Sequence, residues 1–263
     1  MTRLGGRADP GGDQSETTLR RGISILFTLG SPEAVEQGGL GVVQVAELLG
    51  REKSQVSRTL KTLEACGVVD RDRATLAYRL SWQLSTLAAR GGDQRLLRLA
   101  APVVAGLVER VNESAYLSVL QGRHVLTVLA RPSRRLVQAV EEEGQLAPAH
   151  STSAGRALLL DWTPEELRVL FGGESFERTA SRTPRDVDDL LSRLDSDREQ
   201  AHVVVEDELE DGLAAVAVPV RAQGEVVAAL NVSGPTARLR KAYAAVTPEL
   251  HAAAERLSAA LSS

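Results

Sequence analysis

Gly50 stands four residues after Ala46 and six before Val56, and that spacing constrains how the front of the chain can fold. Two helices that cross at a tight turn need a small residue at the crossing, a glycine in the turn and a β-branched residue on the second helix. The flanking pattern agrees. Apolar residues at Leu19, Ile23 and Leu26, with Phe27 beside them, predict a helix from Thr18 that stops near Gly30-Ser31-Pro32. After a glycine-rich loop (Gly38, Gly39, Gly41), Val42–Leu49 reads as a second helix. Lys53–Cys66 reads as a third, burying Val56, Leu60 and Leu63, with Gly67 as its stop. Val68–Arg71 and Leu76–Leu80, separated by a polar turn at Asp72-Arg73-Ala74, read as a β-hairpin. Three helices and a hairpin in that order predict a winged helix-turn-helix.

The third helix gives this shape a use. Lys53, Ser54, Gln55, Ser57, Arg58 and Lys61 occupy its polar side, and Arg51 lies in the turn before it. Such side chains reach base edges and phosphates when a helix enters the major groove of duplex DNA. Arg71, Arg73 and Arg79 lie on the hairpin, where a wing can touch the backbone or the minor groove. Charge follows the same division. The net charge is +2 over residues 17–82 and −6 over residues 98–263, within a chain of net charge −4. Of the 31 basic residues only Lys53, Lys61 and Lys241 are lysines, a skew that a GC-rich genome explains without special chemistry.

Beyond Trp82 a connecting helix weakens at Gly91-Gly92, and apolar helix resumes at Leu96 and runs to Val111. The remainder alternates strands and helices. Ala115–Leu120, Val125–Ala130, Arg135–Val140, His202–Glu206, Leu213–Val220 and Val226–Ser233 predict a six-stranded, largely antiparallel sheet with flanking helices, an α+β architecture. Helix starts are expected at Thr163-Pro164, Thr183-Pro184 and Thr247-Pro248, where Thr caps and Pro fits the first turn. Residues 1–16, rich in Gly, Asp and Pro, predict a disordered tail. The domains expected are this tail, a DNA-binding domain over 17–82, a linker helix over 83–97 and a second domain over 98–263.

Several chemistries are excluded. Aromatic residues make up 3% of the 263, too few for a single-strand stacking platform. One cysteine, Cys66, read as a small packed residue, rules out an internal disulfide and a Cys-rich zinc site and fits a reducing cytoplasm. No apolar run approaches a membrane span, and the first residues lack a secretion signal. His150, Ser151, Ser153 and Asp161 crowd one short segment without a nucleophile elbow, so a hydrolase triad is not expected and His150 is read as a hydrogen-bonding residue before a helix. The histidines lack metal-ligand spacing, and Glu141–Glu143 and Glu206–Glu208 read as solvated turns. Neither an enzyme nor a cofactor is expected.

The chain resembles the IclR-type bacterial transcriptional regulators. LRRGISILFTL, VAELLGREKSQVSRTLKTLEACGVVDRD and YRL carry the likeness at the front. QLAPAHSTSAGRALLLDWTPEEL, TPRDVDDLL, EDELEDGLAAVAVPV and GEVVAALNVSGP carry it behind. Arg156 replaces the family's usual Lys, and Arg51-Glu52 follows the turn glycine where Leu-Pro is common, so no operator sequence transfers. The resemblance implies a winged helix joined to a GAF-like effector domain, assembled as a homodimer or homotetramer on palindromic double-stranded DNA. It places effector contacts at Ala147, Ser153, Ala154, Leu213, Ala215, Asn231 and Ser233. The expectation is a cytoplasmic, ligand-responsive repressor with a small organic effector, a carboxylic acid among the candidates. Leu19, Ile23, Leu26 and the linker after Trp82 would pair the DNA-binding heads. The alternative is a small-molecule-binding or enzymatic protein that uses its helix-turn-helix only for interaction.

Overall fold

The computed structural model describes residues 17–88, 91–173 and 175–263, which fall into two compact units dividing between Gly92 and Asp93. The tail expected over 1–16 lies outside the described residues.

In the first unit, α1 (Thr18–Leu29) is capped by the Thr17 hydroxyl, which accepts from the Arg20 N–H. It buries Gly22, Ile25 and Leu29, whereas Leu19 and Ile23, part of its expected stripe, are exposed. A short helix that the sequence reading missed, α2 (Pro32–Glu36), follows at once, capped by Ser31 with Pro at its first position. Then come α3 (Val42–Leu49) and α4 (Lys53–Ala65). Gly50 ends α3 with φ +62°, in the left-handed region that glycine enters without a Cβ penalty, and its N–H reaches back to Glu47. Ala46, Val56 and Leu60 are buried together with Ile25, Leu29, Val45 and Tyr78 in one core. The wing pairs β1 (Val69–Arg71) with β2 (Tyr78–Leu80), antiparallel, and Tyr78 also exchanges two backbone hydrogen bonds with Leu40. A helix, α5 (Trp82–Ala88), closes the unit.

The second unit opens with α6 (Gln94–Val111), whose N-cap Asp93 accepts from the Arg95 and Leu96 N–H groups. Strands β3 (Ser114–Gln121) and β4 (His124–Arg131) lead to β5 (Leu146–Pro148), a 3₁₀ turn (Ala149–Ser151) and three helices. These are α7 (Ser153–Leu158), α8 (Pro164–Phe171) and α9 (Val187–Gln200). Strands β6 (Val203–Glu206), β7 (Leu213–Ala222) and β8 (Glu225–Pro235) precede α10 (Thr236–Leu239) and α11 (Tyr243–Ser262). The six strands form one antiparallel sheet in the order β5-β4-β3-β8-β7-β6.

The sheet is covered on both faces. Ala115, Leu117, Val216, Val218, Leu230 and Val232 pack against Leu96, Val104 and Leu107 of α6 and against Leu250 and Leu257 of α11. The alternate residues Val125, Val205, Ala217 and Ala229 face the layer of α7, α8 and α9. Central strands buried on both sides are nearly continuous in apolar residues, so a polar side chain in them stands out.

Three expected elements are corrected. Arg135–Val140 is no strand but an irregular loop with Leu136 fully exposed, and β5 supplies the sixth strand instead. Thr183 caps nothing: its hydroxyl donates to the Glu208 carbonyl at 2.7 Å, and α9 starts later, under an Asp186 carboxylate that accepts from the Asp189 N–H. Thr247-Pro248 lies inside α11, which begins at Tyr243. Thr163 behaves as expected, in a reciprocal capping box with Glu166.

Candidate DNA-binding surface and ligand cavity

The buried stripe of α4 leaves its opposite side to solvent. Lys53, Ser54, Arg58 and Lys61 are exposed, and Arg51, Gln55 and Ser57 are half-buried. Positions 54, 58 and 61 share a face by helical spacing, and the Arg58 Nε donates to the Ser54 carbonyl at 3.4 Å, which lays its side chain along that face. Glu52, the N-cap, accepts from the Ser54 hydroxyl at 3.3 Å. In the wing, the Asp72 carboxylate accepts from the Ala74 and Thr75 N–H groups, both at 2.8 Å, and these bonds hold it below the usual carboxylate range. The Arg71 guanidinium lies 5.3 Å from the Tyr78 ring centre, which fixes its stem, and Arg73 and Arg79 are exposed. The wing thus carries three arginines, Arg71 and Arg79 on its strands and Arg73 in the hydrogen-bonded turn between them.

A cavity in the second unit lies between the sheet and the start of α7. All seven residues expected to touch an effector line it: Ala147, Ser153, Ala154, Leu213, Ala215, Asn231 and Ser233. Ser118 and Thr127 from β3 and β4, Ser151 and Thr152 from the turn, and Glu141 and Gln145 from the loop before β5 complete its polar wall. Val125, Val205 and Leu209 add apolar surface. The hydroxyls of Ser118, Ser151 and Ser233 and the Asn231 Oδ1 are buried and have no protein partner. Buried polar atoms are ordinarily satisfied, so four in one cavity mark a place where something else supplies the bonds. Ser118, Thr127, Asn231 and Ser233 break the apolar runs of their strands, so Ser118 and Thr127 were legible by the rule that marked Asn231 and Ser233. Ser151 lies on the 3₁₀ turn, where no such rule applies.

Two anchors shape the cavity. A Cβ at Gly155 would overlap the Ala149 backbone, so α7 lies against the 3₁₀ turn as no other residue would permit. Behind α7, Arg156 is buried, donating to both Asp197 oxygens at 2.8 and 2.9 Å and to both Glu208 oxygens at 3.0 Å. Arg193 approaches Glu208 at 2.9 Å. Glu208 adjoins Leu209 of the cavity wall, so the cluster fixes that wall from behind.

Residues 18–73 match the model of the IclR helix-turn-helix domain, and residues 92–259 match that of the bacterial transcriptional regulator IclR C-terminal domain. The chain belongs to the IclR family. Among similar proteins, the HTH-type transcriptional regulator KdgR of Escherichia coli is 29% identical over 90% of this chain and 91% of its own length. The HTH-type transcriptional repressor AllR of Salmonella paratyphi A is 28% identical over 89% of this chain and 85% of its own. The crystal structure of an IclR homologue from Microbacterium hydrocarbonoxydans, complexed with 4-hydroxybenzoate, superposes with a TM-score of 0.82 at 24% identity, covering 93% of this chain and 99% of that one.

As an IclR-family member the chain is a DNA-binding regulator of transcription and not an enzyme. Two of the tempting hydrolase residues are engaged with other groups. His150 stacks on Phe176 at 4.0 Å and meets Phe171 edge-on, and its Nε2 has no partner, so it is an aromatic packing residue rather than the hydrogen-bonding one expected. Burial, with a smaller push from His124, lowers its pKa to about 4. Asp161 instead pairs with Arg221 through both carboxylate oxygens. The acidic runs are occupied by arginines: Glu206 by Arg182 and Arg240, Glu208 by Arg156 and Arg193, Glu143 by Arg131. Among the described residues no group of His, Cys, Asp and Glu could hold a metal ion. Cys66, expected to be packed, is exposed. No described helix is long and apolar enough to cross a membrane.

Proposed function

We propose that this chain is a ligand-responsive repressor acting in the cytoplasm on a palindromic operator. The reading rests above all on the cavity, where four unpartnered buried polar side chains and apolar neighbours line the space between the sheet and α7, the kind of lining a small organic effector would use. Ala147, Ser153, Ala154, Leu213, Ala215, Asn231 and Ser233 contact that effector. Lys53, Ser54, Gln55, Ser57, Arg58 and Lys61 enter the major groove, Arg51 joins them from the turn, and Arg71 and Arg73 hold the flanking backbone. The repressor AllR, similar along most of the chain, supports the sign of regulation. The protein works as a homodimer or homotetramer, because two-fold protein symmetry matches a palindromic site. The effector acts by binding the DNA-competent and incompetent states with different affinity.

Mobility shift and footprinting on the DNA upstream of the protein's own gene test the DNA half of this reading. Specific retardation over a palindrome is expected, and no sequence preference at moderate salt would overturn it. Transcription from that DNA in vitro, falling on addition of the protein, tests the sign.

A further inference from the structure

The wall of the ligand cavity holds a single ionisable side chain, the carboxyl of Glu141, and no Lys, Arg or His. Glu141 lies on the loop before β5, and its Oε2 accepts from the Thr127 hydroxyl at 3.3 Å. The Tyr116 phenol on β3 feels the Glu141 charge, and its proton is committed to the Ala139 carbonyl at 2.8 Å. Glu141 therefore faces the cavity with oxygen atoms to offer and no cation to balance them. The Asn231 Oδ1, buried and unpartnered in the same space, is a second acceptor. The hydroxyls of Ser118, Ser151 and Ser233 can turn either way, so they complement whatever the two acceptors select.

A ligand carboxylate placed here would set two negative charges side by side in a cavity without a counter-charge. A hydroxyl or a protonated amine would instead donate to Glu141 and to Asn231 and satisfy both. We propose that Glu141 sets the chemical class of the effector, a molecule that presents a hydrogen-bond donor to this carboxyl, and that it turns carboxylates away. Burial raises the carboxyl to about 7, so it is the ionised form, dominant at pH 8 and above, that repels a carboxylate. The inference rests on the cavity being the effector site.

The test is a ligand-observed NMR screen of the full-length protein at pH 8, with a fragment library balanced among carboxylic acids, alcohols and amines. Ser233→Leu, which fills the cavity, identifies the hits that bind there. Among those, alcohols or amines should bind about tenfold more tightly than acids of matched size, and Glu141→Gln should bring the acids to parity, a change of about tenfold in relative affinity. Loss of amines alone in Glu141→Gln would identify a cationic effector, and equal weakening of alcohols a hydroxylated one; both support the role of Glu141. Acids dominating the wild-type hits, or a distribution unmoved by Glu141→Gln, would overturn it. Hits that all survive Ser233→Leu would overturn the cavity reading itself and this inference with it. Circular dichroism of both variants confirms that they fold.

Discussion

Ala215 of β7 is the register partner of Ser233 of β8, side by side on the face of the sheet that floors the cavity. The adjacent pair in the same alternation is Ala217 with Asn231. Each places a methyl group beside a polar side chain, so the floor is low where a ligand would lie and still offers hydrogen bonds.

Leucine at Ser233 would raise that floor by several methylene volumes and remove a hydroxyl. Ser233→Leu is expected to abolish the rise in melting temperature that a cavity ligand produces in the wild type, because a ligand stabilises only the state it binds. Differential scanning fluorimetry with and without a confirmed cavity ligand checks this. An undiminished shift would move the binding site elsewhere.

On the DNA side, Arg58→Ala should weaken binding to the operator by about 1–3 kcal/mol if it reads a base, with relaxed preference at one position. Lys53→Ala, placed at the N-terminal end of α4, should weaken binding across all sequences and lower the salt slope by about one if it neutralises a phosphate. Fluorescence anisotropy over a salt series separates the two roles, and wild-type behaviour in both variants would remove α4 from the interface.

Arg156 should be the most costly surface-remote charge to lose. Arg156→Met leaves Asp197 buried without its partner and Glu208 with Arg193 alone, and breaking a buried pair typically costs about 3–5 kcal/mol. Burial already raises both carboxyls above their ordinary range despite the arginine. Arg156→Lys keeps the charge but cannot fork to two carboxylates, so its loss should be intermediate. Urea unfolding of the three proteins at neutral pH gives the order, and equal stability of wild type and Arg156→Met would contradict it.

His150 predicts a pH dependence. Its folded-state pKa, about 4, lies below the unfolded value near 6.5, so the unfolded chain takes up the proton first as pH falls. The contribution of neutral His150 is complete above pH 6.5 and is lost as pH falls toward 4, about 3 kcal/mol in all. His150→Phe, which keeps an aromatic ring against Phe176, should flatten the fall in the unfolding midpoint over that window. Parallel pH curves for wild type and variant would show that the imidazole does not titrate with unfolding.

The elements legible in the sequence are those that local chemistry decides. The bounds of α3 are fixed by Gly41 and Gly50, and α8 is fixed by a capping box, all within a few residues of the helices they end. The loop over 135–140 was misread because Leu136, Val137, Ala139 and Val140 make a short, largely apolar run like that of a buried strand. What holds it is remote: the Ser114 and Tyr116 hydroxyls grip the Ala139 carbonyl, and Arg238 reaches the Val137 carbonyl. Thr183 failed as a cap for the same reason, since its hydroxyl found Glu208, far along the chain. Within the cavity, Asn231 and Ser233 were visible as polar interruptions of an apolar strand. Glu141 was hidden in a run of three glutamates, where nothing local tells the inward one from its solvated neighbours.

Gly155 bears on how such a cavity can change over evolutionary time. With no room for a side chain against Ala149, position 155 is closed to substitution, while Ser153 and Ala154, just before it in the chain, line the cavity. Descendants of this chain can therefore exchange what the seat presents without moving the seat. New ligands would be acquired by repainting a fixed backbone, and a lineage that lost the glycine would have to rebuild the wall before it could bind anything.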